Sequence, residues 1–207
     1  NPNGQTSKGF GDVLKWMFQR QRQPWKKAKD WSIPKRTFDQ PQGIRITFVN
    51  HSTFLIQIGQ VNVLTVPVWS HRVGPFDWAG PVRMRPPGVR MEDLPEIHYV
   101  LLSHNHYDHL DKVTPKKLHQ QSAPTIYTPL GGGAYVRQLG LKHEKDLDWW
   151  ESTTLNQHTE ISIQALPASH FSSRGMLDRN ATLWCGFLIT SSWFLSICSI
   201  LVSLVYK

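Results

Sequence analysis

The stretch Ser103-His104-Asn105-His106-Tyr107-Asp108-His109-Leu110-Asp111 constrains this chain more than any other part of it. Its imidazoles and carboxylates directly follow the apolar run Ile97-His98-Tyr99-Val100-Leu101-Leu102. A short apolar run that ends in polar residues reads as a buried strand closing in a turn. Side chains alternate along an extended backbone, so His104 and His106 share a face while extended geometry continues. The turn beyond them brings Asp108 and His109 round to an adjacent position. Neutral imidazole and carboxylate are ligands for Zn²⁺ and similar borderline cations. Ionisable groups gathered at one strand end mark a functional cleft rather than a solvated loop.

The remaining sequence supplies strands to frame that cleft. Residues 44–48 alternate as a half-buried strand, and 53–58 and 61–66 read as a hairpin across Gly59-Gln60. Between the first two lies the polar turn Asn50-His51-Ser52, where His51 is expected to serve structural hydrogen bonding, with approach to the metal cleft as the alternative. Residues 67–96 repeat Pro and Gly around Trp69, Phe76 and Trp78. Such a connection lies over a domain and shapes a cleft; its Arg83, Arg85 and Arg90 are available to an anionic substrate. A short helix is predicted over 112–121, a strand over 125–128, and a flexible turn at Gly131-Gly132-Gly133 leading into a helix through Leu139. The glycine spacing is not that of a nucleotide-binding loop. Trp149 and Trp150 are expected to anchor a surface loop. Residues 162–168 alternate as a strand that delivers His170 at its end. Residues 183–189 read as a last core strand. Cys185 and Cys198 form no Cys-x-x-Cys pair and are expected to be buried thiols.

Charge and hydropathy set the ends apart. Of the net charge of +8, residues 1–45 carry ten Lys/Arg against three Asp/Glu, or +7. That field suits an anionic lipid surface or a phosphate-bearing ligand; nucleic acid is not the expected partner. Asp12 is placed to cap a short helix with Val13, Leu14, Met17 and Phe18 on one side. At the other end, residues 183–206 form an uncharged run of 24 residues, long enough to cross a bilayer. Gly186, Thr190 and five serines dilute it, and a core strand followed by an apolar tail is the expected arrangement. The predicted division is a basic extension over 1–43, a main domain over 44–190 and a tail over 191–207.

These residues resemble the metallo-β-lactamase-fold hydrolases, and in particular the branch of N-acylphosphatidylethanolamine-hydrolysing phospholipase D and its bacterial relatives. The resemblance runs through Asn50-His51-Ser52-Thr53-Phe54-Leu55-Ile56, Leu64-Thr65-Val66-Pro67-Val68-Trp69-Ser70, the 103–111 motif and His170-Phe171-Ser172-Ser173-Arg174-Gly175. It continues in Asp178-Arg179-Asn180 and Leu183-Trp184-Cys185-Gly186-Phe187. It implies an α/β fold, a four-layer αββα sandwich incomplete in its C-terminal half. It also implies Zn²⁺, one or two ions, with His104, His106 and His170 as ligands of the first and Asp108 and His109 contributing to the second. Asp108 and His109 are the implied catalytic residues, and Asp111 supports the motif by orienting a histidine. The implied reaction is attack of an acidified water on a phosphodiester.

Three departures weaken the second metal position. Val66 stands where the family has aspartate. No carboxylate follows the 183–189 strand to bridge two ions, and the family's distal histidine is missing. The chain is therefore expected to be a phospholipase D-like phosphodiesterase of impaired activity, cytoplasmic with peripheral contact to anionic membrane. The alternatives are a non-catalytic metal-binding or interaction protein prone to self-association, and a lactone or amide hydrolase.

Overall fold

A computed structural model describes residues 32–76, 78, 80–156, 160–175, 177–191 and 198–202, with isolated positions 11, 15, 18, 19, 26 and 30. The expected helix around Asp12, Val13, Leu14 and Met17 lies outside the described residues, as does most of the expected tail.

Strands β1 (Ile44–Asn50), β2 (Thr53–Ile58), β3 (Val61–Thr65), β4 (Tyr99–Leu101), β5 (Thr125–Pro129) and β6 (Glu144–Leu147) form one sheet in that order. The first three are antiparallel neighbours joined by tight turns. From β3 to β6 the pairing is parallel, so each step needs a crossover. Residues 66–98 make the first; the helices α1 (Thr114–Ser122) and α2 (Gly133–Gln138) lie in the next two. Every residue of β3 is buried, the pattern of a strand covered on both faces.

A second sheet has the order β10-β9-β8-β7, all antiparallel, from β7 (Ser152–Asn156), β8 (Ile161–Leu166), β9 (Gly186–Ser191) and β10 (Cys198–Val202). Along β8 the residues Ile161, Ile163 and Ala165 are buried while their alternates are half-buried, so one face meets the core. Leu55, Leu64 and Ile126 of the first sheet share a single apolar core with Ile161, Phe187 and Ile189 of the second. The product is an α/β sandwich of two sheets with few helices, of metallo-β-lactamase type.

The sequence reading and the structure differ in four elements. The charged β6 and the Ser/Thr-rich β7 were not foreseen as strands; both are sheet edges, where charge and polarity discourage further pairing. Strand β10 replaces part of the expected tail and pairs with β9. The described part of the 183–206 run therefore enters a sheet, and no helix among the described residues is long and apolar enough to cross a membrane. Finally, the triple-glycine turn is tightly held rather than flexible. Gly131 has φ +86°, and a Cβ on Gly133 would stand 2.6 Å from Asp146 Oδ1. That carboxylate accepts hydrogen bonds from the amides of Gly131 and Gly133 and from Thr128 Oγ1.

Candidate metal centre

The backbone of β4 does not stop pairing at Leu101. Leu102 N donates to Tyr127 O of β5, and Ser103 O accepts from Cys185 N at the approach to β9. His104 thus starts from a point fixed by both sheets. His170 arrives from the other side, past the end of β8. Their rings converge: His104 Nε2 lies 2.9 Å from His106 Nδ1 and 3.1 Å from His170 Nε2, and His170 Nε2 lies 3.3 Å from His106 Nδ1. Three ring nitrogens that face one another cannot all be satisfied by shared protons, because each carries either a proton or a lone pair. Their spacing approaches the roughly 3.3 Å between ligands on a four-coordinate ion with bonds of about 2.0–2.1 Å. The donor set fits a divalent cation. On the far side of its ring, His104 Nδ1 is within 2.8 Å of Ser103 Oγ, a partner that fixes ring orientation.

Asp108 and His109 meet His51 beside that point, the His109 ring 4.1 Å from the ring of His104 between centres. Asp108 Oδ2 is 3.4 Å from His51 Nε2 and 3.8 Å from His109 Nε2. The two clusters, His104/His106/His170 and His51/Asp108/His109, each bring three donor atoms within 4.8 Å of one another. Together they have the capacity for one or two divalent ions. His51, whose polar turn follows β1, thus takes the cleft position that stood as the alternative to a structural role.

Burial keeps the rings of His104, His106, His109 and His170 neutral. It pushes His104 and His106 below the ordinary imidazole range, and the charges of His109, His170 and His106 lower His104 further. His109 and His170 are each pushed down to about 4, again chiefly by burial. For Asp108, burial acts upward, but the hydrogen bond from His51 and the charge of His109 outweigh it and hold the carboxyl below its usual range.

Supporting contacts revise several expectations. Asp111 orients no histidine: its carboxylate accepts from Ser70 N and Oγ, from Val113 N and from Thr114 N and Oγ1, pinning the long connection to the start of α1. Val66, where the resemblance implies aspartate, is buried with φ +30°. That is a strained backbone for a β-branched residue and one that aspartate tolerates better. Arg90 is occupied by Asp93, at 2.8 and 2.6 Å, and holds that carboxyl down at about 2. Arg83 donates to Ser70 O and Val68 O. Only Arg85 of the three expected arginines stays exposed. Trp149 does anchor its loop, donating to Trp184 O, whereas Trp150 points outward. Trp184 in turn donates to Ala168 O, two residues before His170. Cys185 is a buried thiol whose pKa burial raises.

Arg174, which the motif after His170 contains without a role of its own, joins the two halves of the centre. Its Nη1 donates to Asn105 O at 2.9 Å and Leu110 O at 2.7 Å, and its guanidinium lies 4.2 Å from the centre of the Tyr107 ring. Asp178 secures the Arg174 turn by accepting from the amides of Arg174 and Gly175 and from Tyr135 Oη. Beside His51 and Asp108 opens a cavity of about 630 Å³, walled by Phe48, Val49, Val68 and Val82 and edged by Arg85.

An α/β sandwich with clustered histidines at the ends of strands from both sheets defines a metal-binding protein of the metallo-β-lactamase type. The chain belongs to the beta-lactamase superfamily domain family, whose pattern matches residues 61–196. It is 40% identical over 146 residues to an uncharacterized protein of Mycobacterium tuberculosis, covering 70% of this chain and 38% of that one. It is 33% identical over 177 residues to N-acyl-phosphatidylethanolamine-hydrolyzing phospholipase D 1 of Caenorhabditis elegans, covering 79% of this chain and 49% of that one. The chain thus spans less than half the length of either relative. Among solved structures, CmlA, a diiron beta-hydroxylase from Streptomyces venezuelae, superposes with a TM-score of 0.55 at 22% identity over 79% of this chain and 30% of its own. Igni18, a metallo hydrolase from Ignicoccus hospitalis, gives 0.52 at 17% identity over 72% and 56%. Those two likenesses concern the fold alone.

Proposed function

We propose that this chain carries the metal centre of a hydrolase that cleaves the phosphodiester of a phospholipid, with Zn²⁺ as the metal. His104, His106 and His170 are the ligands of the first ion, and Asp108 and His109 face the reacting group. The observation that carries the reading is the convergence of three ring nitrogens within 2.9–3.3 Å. The choice of phosphodiester follows the similarity to the worm phospholipase D.

A divalent cation bound there supplies Lewis-acid chemistry, drawing charge from a phosphoryl oxygen and acidifying a water. The chain's own residues do the rest. His104, His106 and His170 are neutral at pH 7 and present lone pairs without first losing a proton. Asp108 remains anionic and accepts a hydrogen bond, so it orients an attacking water. Arg85 at the cavity edge offers charge to a phosphate, while Phe48, Val49 and Val68 shelter an apolar chain from water. The basic residues of the first 45 positions add attraction to an anionic membrane, so the reading includes a cytoplasmic chain in peripheral membrane contact.

The test is hydrolysis of bis(p-nitrophenyl) phosphate and of vesicles containing N-acylphosphatidylethanolamine by the metal-stripped chain reloaded with Zn²⁺. Metal-dependent cleavage that disappears in His104→Ala is the expected result. No cleavage of either compound, or selective cleavage of a lactone or amide, would reject the reading.

A further inference from the structure

The resemblance gives only Asp108 and His109 of this chain to a second metal position. The donor atoms around Asp108 nevertheless form a set of three, all drawn from residues 51–109. We propose that His51 is an inner-sphere ligand, completing with Asp108 and His109 a second cation site that binds its ion firmly. This reverses the sequence-based expectation of a weak second position. For its first ion it rests on the reading given above; for its own ligands it does not.

Three observations bear on it. The first is spacing: His51 Nε2 and His109 Nε2 stand 3.4 and 3.8 Å from the same carboxylate oxygen. Ligands on one ion with bonds of about 2.0–2.2 Å stand about 3.3–3.5 Å apart, so small side-chain adjustments suffice.

The second is the backbone that presents His51. Its φ is +43°, a left-handed conformation that glycine or asparagine adopts more readily. The turn is also rigid. Asn50 is buried and donates from Nδ2 to Val68 O, Ser52 O accepts from Thr65 Oγ1, and Thr53 Oγ1 donates to Val66 O. Buried anchors on both sides leave only the His51 ring projecting, 5.1 Å from the ring of His109 between centres.

The third is access. His51 and Asp108 both line the 630 Å³ cavity, and the side chain of His51 is about half exposed. An ion can therefore enter from solvent, and once bound it faces the space where a phosphate would lie.

Metal counting tests this without any substrate, so a failure of the phosphodiester assay leaves it intact. The metal-stripped chain is titrated with Co²⁺, following visible absorption, and bound metal is counted after dialysis. The expected result is two equivalents for the wild type and one for His51→Gly, whose second equivalent binds at least roughly 100-fold more weakly, beyond the usual cost of losing an outer-sphere partner. Imidazole in the buffer restores the second equivalent to His51→Gly. Both His51→Gly and His51→Asn accept the left-handed turn, so unchanged circular dichroism is expected of each and a folding defect in one leaves the other to read. A single equivalent in the wild type overturns the proposal. So does a smaller loss in His51→Gly that imidazole does not reverse, since that would make His51 only a hydrogen-bond partner of Asp108.

Discussion

His104 lies almost wholly out of solvent against His106, His109 and His170, with ring centres 4.1–4.5 Å away. A proton on any of these rings adds positive charge where little water can offset it, so the folded chain favours the neutral forms. The sign of the consequence follows directly. Unfolded histidines titrate near 6.5, whereas His109 and His170 in the fold titrate near 4. Between those values the unfolded chain binds more protons, so stability rises with pH across the window and is lost as pH falls through it. The metal-free chain is therefore expected to melt lower at pH 5 than at pH 7.5. The difference should exceed about 2–4 °C, the equivalent of 1 kcal/mol for a chain of this size. His170→Gln should flatten part of the slope. A melting temperature that does not change between the two pH values would contradict the burial argument.

Between elements, Arg174 is the clamp. It reaches from the turn after β8 to carbonyls 69 and 64 residues away in sequence, at Asn105 and Leu110, and stacks on Tyr107 between them. These contacts fix both flanks of the loop that bears His106, Asp108 and His109. Lysine keeps the charge but has neither the planar fork nor the stacking face. Arg174→Lys is expected to fold, with metal affinity reduced about 10–100-fold, the range for residues that orient ligands. Equilibrium dialysis measures it; an affinity equal to wild type would show the loop to be self-supporting. This clamp also marks where sequence reading stops. Strands β1 and β8 were legible because their apolar residues recur with the period of the pleat, β2 and β3 because Gly59-Gln60 marks a hairpin turn between apolar runs, and the histidine motif because its chemistry is dense and local. The partners of Arg174 are distant in sequence, and the role of His51 depends on one positive φ; neither leaves a periodic trace. Strand β6 has the composition of a loop because it is an edge, and β10 lay hidden in an apolar run that also fitted a tail. The pairing of Arg90 with Asp93, by contrast, was open to sequence reading through its i, i+3 spacing.

At the scale of the whole molecule the first trio of histidines spans the sandwich. His104 and His106 follow β4 of the six-stranded sheet, and His170 follows β8 of the four-stranded one. The sheets are also joined by the shared core, by Cys185 N donating to Ser103 O and by Tyr99 Oη donating to Leu155 O, so the metal-free chain has means to fold. An ion held by all three rings adds a link that the unfolded chain lacks, and mass action turns its affinity into stability. At free metal 1,000 times its dissociation constant that is about 4 kcal/mol, or roughly 8–16 °C in melting temperature at this size. Chelation is therefore expected to lower the melting temperature by at least that amount, and Zn²⁺ to restore it. His170→Ala separates a link across the sandwich from a local effect on the β4 loop. If the ion joins the sheets, the variant loses the share of the metal-dependent increment that this ion supplies while its metal-free melting stays near that of the metal-free wild type. Were the full increment to survive in His170→Ala, His104 and His106 would be holding the ion without the second sheet, and the two halves would not share a metal.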